Sequence, residues 1–140
     1  MLDNYRDLID ELLGTPTELR RLVESREETP SAAERKLLVE LLRRDQTVLG
    51  YLQEMTRTND AYLRGTLAPE PAADQDFPAL LASFDTARGE LVSLLMNLTL
   101  RDWERTAIHE TEGQLSLVDL VENHVDFDED HVARMREQLG

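Results

Sequence analysis

The chain contains no cysteine. That excludes disulfides, thiolate metal sites and a cysteine nucleophile, and it fits the reducing cytoplasm expected for this protein. Aromatic residues make up only 5% of the sequence, so Leu and the other aliphatic residues must fill any core. Positive charge is also scarce: 15 Lys and Arg face 29 Asp and Glu, a net charge of −14. A surface so acidic repels phosphate backbones and anionic lipid, so neither nucleic acid nor a membrane is expected as a partner. No apolar run approaches the roughly 20 residues of a membrane span. The stretch Met1 to Asp7 carries acids and no long apolar region, so no secretory signal is expected there. No glycine-rich loop of the phosphate-cradling kind is present, and no nucleophile–base pair is legible.

What remains is 41% hydrophobic in 140 residues, enough for one domain spanning residues 1–140 with a single core. Four segments repeat apolar residues every three or four positions, the pattern of amphipathic helices. The first runs Tyr5, Leu8, Ile9, Leu12, and Gly14-Thr15-Pro16 is expected to break it. Thr15 then reads as an N-cap restarting a short helix through Leu19, Leu22 and Val23. Thr29-Pro30-Ser31 opens the second helix, with Ser31 and Glu34 as a capping box. Its stripe is Leu38, Leu41, Asp45, Val48, Leu52, Met55, and its end is expected near Leu63 to Gly65. Two prolines mark residues 66–73 as a loop. The third helix starts near Asp76, with the stripe Phe77, Leu81, Phe84, Arg88, Leu91, Leu95, Leu98. Residues 100–105 read as one or two helical turns and 108–115 as irregular connection. Ser116 caps the fourth helix, whose stripe is Leu117, Val121, Val125, Asp128, Val132, Met135, Leu139. No segment alternates convincingly as a strand, so the expected class is all-α, a four-helix bundle.

Three stripes carry one charge each, at Asp45, Arg88 and Asp128, and helical phase points all three inward. A lone buried charge is costly, so they should pair or face a wet cavity. One reading is an ion network fixing helix register; the other is a set of residues lining a pocket or orienting a ligand. His124 and His131 lie seven apart on the last helix with Asp128 between them, a half-site of the kind that suits a divalent ion such as zinc or nickel. Histidines at a helix rim are more commonly solvated or hydrogen-bonded. Glu40, at the edge of the second stripe, is the candidate further ligand. His109, in Ile108-His109-Glu110-Thr111-Glu112-Gly113, reads either as a cleft residue or as a loop histidine capping backbone groups.

These residues carry a resemblance. Leu13-Gly14-Thr15-Pro16-Thr17-Glu18-Leu19, Leu41 to Asp45, the connection Leu100 to Leu117 with Trp103, His109 and Gly113, and the helix Val121 to Met135 are together similar, in order and spacing, to DinB/YfiT-like proteins. The resemblance implies an up-down-down-up four-helix bundle with a long crossover connection, commonly as a homodimer. It also implies a divalent metal held by three histidines, one from the second helix and two from the last, and enzymes that use a low-molecular-weight thiol. Carried onto this chain, the second-helix histidine falls on Glu40, the first of the last-helix pair on Phe127, and only His131 is kept. Phenylalanine cannot ligate a metal. The expectation is therefore a degenerate metal site in a protein that binds a small molecule or a partner. The alternative is a divalent-metal-dependent thiol S-transferase or hydrolase whose ligands are drawn from Glu40, His131, His124 and Asp128.

Overall fold

The computed structural model describes residues 2–25 and 30–139, so Thr29 of the second start signal lies outside it, as does the side chain of Leu139. The elements run α1 (Leu2–Glu24), α2 (Ala32–Arg57), β1 (Ala61–Leu63), α3 (Phe77–Met96), α4 (Leu100–Trp103), β2 (Thr106–His109), β3 (Gly113–Ser116) and α5 (Leu117–Leu139). The four long helices form a bundle in which α1 packs on α3 and α5, and α2 packs on the same two. Consecutive helices α1 and α2 therefore sit across a diagonal, and long connections join α2 to α3 and α3 to α5. The expected all-α bundle with a long crossover is met, with a small sheet added.

The caps follow the local chemistry. Ser31 accepts from the Glu34 amide at 3.2 Å, Asp76 from the Ala79 amide at 2.8 Å, and Ser116 from the Asp119 amide at 3.0 Å. Each satisfies an N–H that the first helical turn leaves without a partner.

Three expectations are corrected. First, α1 does not break at Gly14-Thr15-Pro16 but continues through Pro16. A proline inside a helix leaves the carbonyl four residues earlier without its N–H donor; here that carbonyl, of Leu12, accepts from Arg88 instead. Thr15 is no N-cap: it is buried, and its hydroxyl reaches Asp128. Second, α2 ends at Arg57, where Asp60 turns the chain with φ 53° and β1 begins. Third, strands exist. β1 pairs parallel to β2, and β2 pairs antiparallel to β3 through a turn closed by Gly113 at φ 76°. Strands of three or four residues are too short to show alternation above noise, so the pattern was invisible in sequence.

The core divides into two clusters. Leu12, Val48, Leu52, Leu91, Leu95 and Trp103 belong to the one under the sheet, and Leu19, Leu38, Leu41, Leu80, Phe84 and Met135 to the other. The second cluster holds Leu80, fully buried, where the expected stripe had Leu81, half-buried. Between the two clusters lies a polar layer.

Candidate functional site

That layer is built on Arg88, 1% exposed at the middle of α3. Its Nε and Nη2 donate to the two oxygens of Asp45 on α2 at 2.9 and 2.7 Å. Its Nη1 and Nη2 donate to the two oxygens of Asp128 on α5 at 2.7 and 2.9 Å. Nη1 also donates to the Leu12 carbonyl on α1 at 2.6 Å. A guanidinium has five N–H groups, and all five have acceptors here, drawn from the other three helices of the bundle. The carboxylates are equally well supplied: His124 Nε2 donates to Asp45 at 2.7 Å, and the Thr15 hydroxyl to Asp128 at 2.7 Å. Phe84 covers the guanidinium, its ring centre 4.9 Å from the central carbon.

Burial pushes the Asp45 carboxyl up, but the hydrogen bonds from His124 and Arg88 and the Arg88 charge outweigh it and hold it below the usual carboxylate range. Burial likewise works against the Arg88 charge, but the two carboxylates dominate and hold the guanidinium above its ordinary value. Of the two readings of the stripe charges, the paired network is what the geometry contains.

Asp45, His124 and Asp128 offer three ligand-type atoms within 4.8 Å of one another, a group of the kind that binds a metal ion. A divalent ion fits poorly there. The oxygens it would need are already taken by Arg88, which brings a positive charge to the same point, so an incoming ion would have to expel a fully hydrogen-bonded guanidinium.

The outer site lies beside this layer, at the seam of α2 and α5. His131 Nε2 meets Glu40 Oε2 at 2.8 Å, so the residue at the edge of the second stripe that was the candidate further ligand does converge on it. Its Nδ1 faces the Phe127 carbonyl at 3.1 Å. Phe127 stacks on the His131 ring at 4.0 Å, and the Arg44 guanidinium lies over the Phe127 ring, 5.2 Å from its centre. A metal here would find two ligands, a phenyl ring in place of the third, and a guanidinium close by; this donor set does not complete a site. Of the two ordinary fates of such histidines, solvated or hydrogen-bonded, His124 and His131 take the second: both are buried, at 0% and 4%, and bonded to Asp45 and Glu40. His124 and Asp128 face the inner layer through Asp45 and Arg88, not the Glu40–His131 pair.

His109 is the last residue of β2, not part of a loop, but it does cap backbone groups of the turn that follows. Its Nδ1 accepts from the amides of Thr111 and Glu112, both at 3.2 Å. That leaves the proton on Nε2, which lies 3.3 Å from the Tyr51 hydroxyl, while Tyr51 donates to the Arg64 carbonyl at 2.6 Å. Nothing in the sequence marks Arg44 or Tyr51 as a site residue. Both sit on the face of α2 that begins at Glu40, at steps of four and seven residues, which becomes a signal only once Glu40 is placed.

No family model matches the chain, and no curated protein matches it. Among solved structures it is similar to YfiT from Bacillus subtilis, described as "a probable metal-dependent hydrolase with an unusual four-helix bundle topology". The similarity covers 98% of this chain and 86% of YfiT, at a TM-score of 0.72 and 18% identity. The chain has the YfiT-type fold. The fold is thus shared over almost the whole length, while the level of identity carries the fold and not the chemistry. Among the described residues, no helix is long and apolar enough to cross a membrane.

Proposed function

We propose that this protein is a metal-free member of the YfiT fold that acts by binding, holding a small molecule or a partner rather than using a divalent ion. One observation carries the reading: Arg88 fills the centre of the Asp45–His124–Asp128 group with all five of its N–H groups bonded. An internal cation supplies the neutralisation that a metal would supply, at no dependence on ion availability. The Phe127 ring and the Arg44 guanidinium at the outer site support the same reading, since one cannot ligate a metal and the other repels it.

The test is metal content together with thermal stability. Protein purified and dialysed without chelator should carry no stoichiometric zinc, nickel or manganese. Its melting temperature should not rise when these ions are added. A tightly held ion that disappears in His131→Ala overturns the proposal.

A second reading, a divalent-metal-dependent thiol S-transferase or hydrolase with an altered ligand set, is favoured by one contact, the 2.8 Å approach of Glu40 to His131. It also draws on the metal dependence described for YfiT. The two readings part on the same experiment. The homodimer implied by the resemblance stays a proposal, checked by light scattering on the full chain.

A further inference from the structure

In a chain with 29 acidic residues, Arg44 has no ion pair and no hydrogen bond among the described residues. Its Nε–H is buried without a partner. The other half-buried arginines are engaged: Arg35 bonds the Gln75 carbonyl, Arg43 bonds the Ala68 carbonyl, and Arg105 bonds Asp102. Arg44 has only the Phe127 ring beneath it, yet its field reaches Tyr51, where it opposes the burial that raises the phenol. A second orphan borders the same ring. His124 is fully buried, its centre 6.4 Å from that of Phe127, and its Nδ1 has no partner while Nε2 is bonded to Asp45. A donor and a ring nitrogen, one from each helix of the seam, thus flank Phe127 unsatisfied. Buried polar atoms are rarely left so unless something else meets them.

We propose that Arg44 anchors a small carboxylate-bearing molecule at the α2–α5 seam, with Phe127 as the apolar wall against its body. This rests on the metal-free reading above and names the chemistry that such a site would take. A guanidinium presents paired N–H groups that match the two oxygens of a carboxylate. Phe127, half-buried with His131 stacked on it and Arg44 over its ring, is the apolar side chain in contact with the guanidinium, against which an aromatic or aliphatic body would pack. The charge around the seam sets the valence. Glu40 lies beside His131, Asp130 lies 3.8 Å from its Nδ1, and Glu110 and Glu112 add negative potential at Tyr51. A dianionic phosphate meets about twice the repulsion of a monoanion in that field, so the carboxylate is favoured.

The experiment uses the full-length protein and benzoate, with acetate and inorganic phosphate alongside. Binding is followed by the side-chain Nε–H resonance of Arg44 and by calorimetry. Benzoate should shift that resonance saturably and bind more tightly than acetate, and phosphate should bind more weakly than either. Arg44→Met keeps the apolar stem over Phe127 and should weaken benzoate about tenfold or more. Arg44→Lys should fall between the two. A wild-type protein whose Nε–H does not respond to benzoate overturns the proposal, as does an Arg44→Met variant that binds benzoate as well as the wild type does. If Arg44→Met fails to fold by circular dichroism, the wild-type resonance and Arg44→Lys decide. Absence of benzoate binding leaves the metal content of the protein unchanged, so the two proposals fail separately.

Discussion

Arg88 donates to the Leu12 carbonyl at 2.6 Å, and that carbonyl is available because Pro16, four residues on, has no N–H to give it. The proline that should have ended α1 instead opens an acceptor on the bundle axis, and the charged layer uses it. A proline inside a helix ordinarily costs about 3 kcal/mol relative to alanine. Part of that cost is offset here by a charge-assisted bond. Pro16→Ala would bring back an N–H that must share the Leu12 oxygen with Arg88. We expect a stability gain of about 1 kcal/mol or less in urea unfolding. A gain near the full 3 kcal/mol would mean that the Arg88 contact contributes nothing.

Arg88→Met removes the one cation between two buried carboxylates. Breaking such a pair from one side costs about 3–5 kcal/mol, because the surviving charges stay buried without compensation. Against a typical total stability of about 5–15 kcal/mol, the variant should melt far below the wild type or fail to fold. The control is Asp45→Leu with Arg88→Met and Asp128→Leu, an apolar layer of similar volume, which should recover most of the loss. If the single variant is as stable as the triple, the network is worth little and the structural argument for it is wrong.

Acid unfolding should report Asp45. Its carboxyl is lowered in the folded chain, burial being outweighed by His124 and Arg88, so the unfolded chain binds the proton more readily. The stability this contributes is fully present above the unfolded value of about 3.9 and is lost as pH falls through the lower folded one. Arg88 is raised, so its contribution is constant throughout the acid range and does not shape the curve there. Urea midpoints measured from pH 6 to pH 2 should therefore fall steeply only below about pH 4. In Asp45→Asn that fall should be shallower, whatever the variant's stability at neutral pH. Parallel curves for the two proteins would remove Asp45 as the cause.

What could be read in the sequence was what repeats. The stripes through Leu38 to Met55 and Leu117 to Met135 match buried faces because a helix of six or seven turns averages out individual exceptions. Inward-pointing Asp45, Arg88 and Asp128 followed from the same phase. Pro16 and Thr15 were misread because local propensity marks a break, while the Arg88 bond to Leu12 that permits continuity comes from a residue 76 positions away. β1 escaped notice because its partner β2 lies more than 40 residues on, and a three-residue parallel strand has no local signature. Glu40 could be named as a partner for the last helix from its place at the edge of the α2 stripe, and the resemblance picked out the same position, but neither fixes the distance at which it meets His131. Arg44 carries no mark in the sequence, where an arginine next to a stripe is ordinary; what singles it out is a buried Nε–H with no hydrogen-bond partner, which only the folded chain displays.

The outer site can be tested by rebuilding what it lacks. Positions 127 and 131 are one helical turn apart on α5, and their rings already lie 4.0 Å from one another. Phe127→His combined with Arg44→Met would place a second imidazole beside His131 and Glu40 and remove the nearby cation. Three ligands with an open fourth position suffice for zinc. Ion at a hundredfold its dissociation constant stabilises by about 2.7 kcal/mol, which for a chain of this size is roughly a 10 °C rise in melting temperature. The wild type should show no rise under the same conditions. Phe127→His alone, with Arg44 still over the ring, should show a smaller one, and the difference measures how strongly that guanidinium excludes a metal. A double variant indifferent to zinc would mean that Glu40 and His131, though 2.8 Å apart, are not oriented to share an ion.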